Sequence, residues 1–198
     1  MSPVSNTTPY IAELSAPQLR SRLDDALAVY VEAMGYPDGT GRQRAPMWTE
    51  HTARSGWRGV AALVPGPEAD RSQEEMVGIA YGYRGAPHQW WHQQVRQGLR
   101  RAGASEPHLH AILDDYFELT ELHVSPRSQG HRTGEALLRR LLDDRPEAVV
   151  LLSTPEVHRE DNRAWRLYRR LGFTDVVRNF TFAGDSRPFA VLGRRLPL

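Results

Sequence analysis

The segment from Phe117 to Gly134 gathers the residue types best suited to hold an anion. Glu118-Leu-Thr-Glu-Leu-His-Val-Ser-Pro126 reads as a strand closed by proline, and Gln129-Gly-His-Arg-Thr-Gly134 follows as a turn. An apolar-patterned helix with Ala136, Leu137, Leu138, Leu141 and Leu142 comes next. Such a turn leaves the first backbone N–H groups of the helix unpaired. The helix dipole adds partial positive charge there, so a pyrophosphate is a natural ligand. Gly130 and Gly134 would let the backbone approach that ligand closely. Other chemistry-bearing groups point less far. His88 and His92 lie four apart on a predicted helix, but no third ligand or His-Glu-x-x-His pattern accompanies them, so no metal site is expected. Trp90 and Trp91 fit closure over a substrate, packing into the core, or the interface of a homodimer. Arg166, Arg169 and Arg170 read as the solvated face of a helix, and no nucleic-acid module goes with them.

Absences narrow the chemistry. The 198 residues include no cysteine, which removes thiol nucleophiles, disulfides and Cys-ligated metals. All 25 basic residues are arginine, so a P-loop lysine, a kinase strand lysine and a Schiff-base lysine are excluded. A net charge of +1 decides nothing about nucleic acid or small anions. Met1 to Tyr10 has neither a basic start nor an apolar core. The longest aliphatic run, Ala148 to Leu152, is far short of the ~20 residues of a membrane span, so a cytoplasmic protein without membrane contact is expected.

The elements that must position these residues can be read from periodicity. After a polar leader, Leu19, Leu23, Ala26, Leu27, Tyr30 and Met34 recur at spacings of three and four, predicting one amphipathic helix. Gly35 to Pro46 reads as a loop and Met47 to Arg54 as a short helix. Trp57 to Val64 and Met76 to Tyr83 are predicted strands, with Pro65 to Arg71 as a hairpin connection. Helices are expected at His88–Ala102 and Pro107–Asp114, then a strand at Phe117–Val124 and a helix at Thr133–Leu142. A buried strand at Ala148–Leu152, a helix at Asn162–Leu171, and strands at Val176–Ala183 and Phe189–Leu196 complete the order. No repeat or composition shift marks a boundary, and one domain over residues 1–198 is expected.

Gln129 and Gly134 match the ends of the Gln/Arg-x-x-Gly-x-Gly/Ala signature of the GNAT acyltransferases, with Arg132 standing where that signature has its middle glycine. Asn162-Arg-Ala-Trp-Arg-Leu-Tyr-Arg-Arg-Leu-Gly-Phe173 resembles the family's later helix, in which an early Asn precedes a Tyr and the end is Leu-Gly-Phe. The resemblance covers residues 116 to 196 well, and the first half only by its order of elements. It implies an α/β fold with a central, mostly antiparallel mixed sheet of six or seven strands flanked by helices. It also implies an N-acetyltransferase, with acetyl-CoA as co-substrate and a primary amine as acceptor, either a small molecule or a protein N-terminus. A non-catalytic acyl-CoA-binding sensor or interaction module with the same fold is the competing reading.

The resemblance also implies roles. The pantetheine would lie like an extra strand between Leu122–Val124 and Val150–Ser153, using main-chain groups of Leu122, His123 and Val124. Gln129, Gly130, His131, Arg132, Thr133 and Gly134 would hold the pyrophosphate. Tyr168 is matched to the tyrosine that protonates the departing thiolate. Asn162 would either bond the cofactor's amides or cap its helix. The acceptor amine must be neutral before it attacks, and Glu118 and Glu121 are the candidate bases, with Glu118 preferred for its place eleven residues before Gln129. Strand alternation puts the two on opposite faces.

Overall fold

The computed structural model describes residues 8–66 and 74–198. The elements are β1 (Tyr10–Leu14), α1 (Ala16–Ser21), α2 (Leu23–Met34), α3 (Thr40–His51), β2 (Arg58–Val64), β3 (Glu75–Arg84), α4 (Trp90–Arg101), α5 (Glu106–Leu113), β4 (Tyr116–Val124), α6 (Thr133–Leu142), β5 (Val149–Pro155), α7 (Arg163–Arg170), β6 (Thr174–Phe180) and β7 (Phe189–Arg195). The strands form one seven-stranded sheet in the order β1-β2-β3-β4-β5-β7-β6. The β4–β5 pair is parallel, while β1–β2, β2–β3, β5–β7 and β6–β7 are antiparallel. This is the expected α/β class and mixed sheet. The predicted hairpin connection at Pro65–Arg71 lies mostly outside the described residues, as does most of the polar leader.

Three expectations for the first 60 residues need correction. The single helix from Leu19 to Met34 is two helices, broken at Arg22. Ser15 and Gln18 form a reciprocal capping box that starts α1, and the Arg22 N–H is shared between the carbonyls of Gln18 and Leu19. The Arg22 guanidinium then bonds Asp25 and the Glu74 carbonyl, so the break is anchored by side-chain contacts that periodicity does not show. The loop predicted through Pro46 is shorter. α3 begins at Thr40 and carries Pro46 in its interior, so burial of Trp48 and His51 prevails over the backbone bond that proline forfeits. Finally, β1 was hidden within and just after the leader, because its Tyr10 and Glu13 are exposed and only Leu14 is buried.

The chain divides into two compact units, residues 1–82 with 121–141, and residues 83–120 with 142–198. In the first unit β2 is buried along Gly59–Leu63, and Leu137 of α6 packs so closely over Gly78 that a Cβ there would sit 2.9 Å from it. In the second, Trp91, Val95 and Leu99 of α4 and Leu109 and Leu113 of α5 form helical stripes. These stripes bury against Tyr116, Leu151, Val177, Phe180, Phe182 and Val191. Gly85 donates its N–H to the Tyr116 carbonyl at 2.9 Å, and the Tyr116 ring occupies the place a Cβ on Gly85 would need, 1.9 Å away. Among the described residues no helix is long and apolar enough to cross a membrane.

Candidate active site

In the first unit the turn before α6 contains two residues of positive φ. Gly130 stands at φ +91° and Arg132 at φ +58°. The left-handed region is costly for a side-chain-bearing residue, by roughly 1–2 kcal/mol. The turn thus keeps the shape of a glycine at position 132 while presenting a guanidinium. His131 and Arg132 are exposed, and the Arg132 carbonyl accepts the first helical bond from Ala136 at 2.9 Å. The Thr133 hydroxyl turns back to the Ser128 carbonyl at 3.2 Å, and Gln129 Nε2 donates to the Val124 carbonyl at 2.9 Å. Together these two bonds tie the turn to the strand end.

Further up β4, alternation holds Glu121 and His123 on one face, and they meet. His123 Nε2 lies 2.6 Å from Glu121 Oε2. Around the imidazole stand Tyr30 of α2, edge-on at 5.0 Å between ring centres, and Trp48 of α3, stacked at 6.5 Å. Trp48 in turn meets Tyr81 of β3 at 5.1 Å, and Tyr81 shares its hydroxyl with His51 Nδ1 at 3.0 Å. Burial pushes the Tyr30 phenol up to about 12 and holds the His51 imidazole down to about 4, so both stay neutral through the physiological range. Sequence reasoning counted His123 only for its main chain. The i, i+2 spacing to Glu121 was the available signal for the side-chain pair.

The second unit holds Glu118, Asn162 and Tyr168. Glu118 is 3% exposed and accepts from the Tyr83 hydroxyl at 3.1 Å. The parallel β4–β5 ladder stops at Glu118 and Leu151, although β5 runs on to Pro155, so the two strands part just beyond the glutamate. Tyr168 is buried on α7 and tilts against Phe173 at 5.6 Å. The Leu-Gly-Phe ending has a local cause. Gly172 at φ +79° turns the chain out of the helix, and the Phe173 N–H returns to the Tyr168 carbonyl at 3.0 Å. Asn162 caps α7, its Oδ1 accepting from the Trp165 N–H at 2.8 Å, which is the second of the two roles open in the sequence.

Residues weighed less heavily also find places. Trp91 is buried in the core and donates its indole N–H to Ser153 at 3.2 Å, whereas Trp90 is half exposed and stacks on Phe182. His92 is buried beside Tyr116, with its imidazole pushed down by burial. The arginines of α7 are not simply solvated. Arg169 grips Glu160 with two bonds and also reaches Asp175, and Arg169 and Arg178 both lie over the Trp165 ring. Among the described residues no cluster of three metal-ligating side chains occurs.

Comparison with known proteins matches this arrangement. Residues 71–173 fit the pattern of the Acetyltransferase (GNAT) family. The chain is 54% identical to the GCN5-like protein acetyltransferase Rv2170 of Mycobacterium tuberculosis, over 96% of this chain and 98% of that one. Its fold resembles a GNAT-family protein from Desulfovibrio desulfuricans (TM-score 0.60, 16% identity, 94% and 98% of the two chains). It also resembles yncA of Salmonella typhimurium, solved with its cofactor acetyl-CoA (TM-score 0.57, 13% identity, 96% and 95%). With the match spanning more than half its length and a relative this similar along nearly all of it, the chain belongs to the GNAT family of acetyltransferases.

Proposed function

We propose that the protein transfers an acetyl group from acetyl-CoA to a primary amine carried by another protein. The observation that carries this reading is the turn into α6, where Gly130 and Arg132 are both left-handed and His131 and Arg132 are exposed beside the helix start. A pyrophosphate satisfies the first helical N–H groups and the helix dipole together, and Arg132 adds a charge-assisted bond. The acetyl-CoA in the yncA structure supports the donor, and the description of Rv2170 as a protein acetyltransferase supports the acceptor class.

Within this reading the pantetheine runs along main-chain groups of Leu122, His123 and Val124, and Gln129 to Gly134 cradle the phosphates. The bound amine, once neutral, attacks the thioester carbonyl. A C–N bond forms, the C–S bond breaks, and Tyr168 gives its proton to the sulfur. Positioning supplies much of the acceleration. Of the two candidate carboxylates, Glu118 at 3% exposure is nearly sealed, whereas the Glu121 side chain at 16% can exchange protons with an acceptor. We therefore place proton removal at the Glu121–His123 pair of β4 rather than at Glu118. Asn162, with its oxygen committed to the α7 cap, has its amide NH2 left for a cofactor carbonyl.

Calorimetry with CoA and acetyl-CoA tests the donor. Thiol release with two peptides, one bearing a single lysine behind a blocked N-terminus and one lysine-free with a free N-terminus, tests the acceptor. Tyr168→Phe is expected to lower kcat by about tenfold to a hundredfold without weakening CoA binding, in line with the loss of a general acid. Binding with no turnover of any amine would favour a sensor or interaction module, and absence of CoA binding would remove the reading altogether.

A further inference from the structure

We infer that the His123 side chain is the group that takes the proton from the acceptor's ammonium, with Glu121 as its positioning residue and Tyr30 and Trp48 as the walls that receive a primary alkylammonium. The inference deepens the proposed acetyl transfer and rests on it. An ionised carboxylate can only accept, so the 2.6 Å contact fixes the neutral imidazole as the tautomer with its proton on Nε2 and its lone pair on Nδ1. No described residue is hydrogen-bonded to Nδ1. That is the arrangement in which a carboxylate orients a histidine for work at its other nitrogen.

The surroundings suit a cation that must shed a proton. Tyr30 meets the imidazole edge-on and Trp48 lies parallel to it. Tyr36 and Trp48 flank Tyr30 at 5.4 and 5.7 Å, so aromatic faces stand on two sides of the histidine. Electron-rich faces attract an alkylammonium. The titratable groups in contact with His123 are Tyr30 on α2 and Glu121 on β4 itself, with Arg44 of α3 beside Tyr30 and His51 of α3 bonded to Tyr81 of β3 one layer further out. Tyr30 and His51 remain neutral, which leaves the Glu121 carboxylate as the anion beside the imidazole and Arg44 as the fixed cation near Tyr30.

The protons balance as follows. The ammonium gives its first proton to Nδ1, which passes it to solvent after each turnover. The neutral nitrogen attacks the thioester carbonyl, and its second proton leaves as the C–S bond breaks, matching the proton gained by the sulfur. The products are an acetamide, a free thiol and one released proton.

His123→Gln keeps a donor toward Glu121 but has no titratable nitrogen. It is expected to lower kcat/KM about a hundredfold and to flatten the acidic limb of the kcat/KM–pH profile, while calorimetric CoA binding stays within about threefold of the parent. Glu121→Leu removes the acceptor from Nε2–H and is expected to raise the share of the Nδ1–H tautomer in the nitrogen-15 spectrum of the His123 ring and to cost about tenfold in kcat/KM. Retention of the acidic limb and of near-parental turnover in His123→Gln would overturn the inference. So would an unchanged His123 tautomer in Glu121→Leu, which can be read without any acceptor substrate. Failure of the parent protein to bind CoA would instead strike the acetyl-transfer reading, so the two can fail separately.

Discussion

The protein starts two helices from superficially similar turns, and they are built for opposite purposes. The turn before α6 holds Gly130 and Arg132 at positive φ, and the one before α7 holds Arg159 and Glu160 there. At α6 the exposed groups are His131 and Arg132, and the acid of the first turn, Glu135, pairs with Arg139. At α7 Asn162 caps Trp165, Asp161 pairs with Arg166, and Glu160 is clamped by Arg169 and Arg178. A helix start whose first N–H groups already have a side-chain acceptor, as Asn162 provides at α7, has little use for an external anion. Helix dipole alone therefore does not single out the turn proposed to hold phosphate; the side chains around each helix start also decide.

Four changes would sharpen or break that contrast. Arg132→Glu reverses charge at the open turn and should weaken CoA binding by about tenfold to a hundredfold in calorimetry, as for loss of a charge-assisted bond, with no fall in melting temperature. A fall in melting temperature with unchanged affinity would make the α6 turn merely structural. Asn162→Ala uncaps α7 and should cost about 1 kcal/mol in denaturant unfolding, with Asn162→Ser restoring most of it. Arg132→Gly should raise stability by roughly 0.5–1 kcal/mol, because relief of the left-handed strain outweighs the added freedom of the unfolded chain. The smallest effect concerns pH. The Arg178 guanidinium holds Glu156 below the usual carboxylate range, and the Arg169 guanidinium does the same for Glu160. Their contribution is present above the ordinary glutamate value and is lost as pH falls through the lowered ones. Hydrogen exchange at Trp165 should accelerate over that acid range before exchange at Ala136 does.

The contrast was half legible beforehand. Gln129 to Gly134 read correctly as a turn into a helix, because glycine spacing and an apolar stripe are local signals. That Arg132 would keep a glycine-like backbone was not readable, since it depends on how Ser128, Val124 and Gln129 pin the turn. Asn162 had two roles open until the Trp165 bond settled its oxygen on the cap. Farther from the motifs the reading weakened. β1 buries only Leu14, α3 runs through Pro46, and α1 and α2 part at an arginine whose partner, Glu74, is 52 residues away. The aromatic wall at His123 draws Tyr30, Trp48 and Tyr81 from three elements, and no spacing rule joins them.

The Tyr116 ring lying where Gly85 would carry a Cβ has a consequence for how this sequence can drift. Any side chain at 85 collides with a fully buried ring whose hydroxyl also meets His92, and shrinking the ring opens a void among Trp91, Leu113 and Leu151. Neither residue can change alone without loss, so the two should vary as a correlated pair, with glycine preserved wherever the aromatic persists. Lineages that abandon the tyrosine would be the ones free to place alanine at 85.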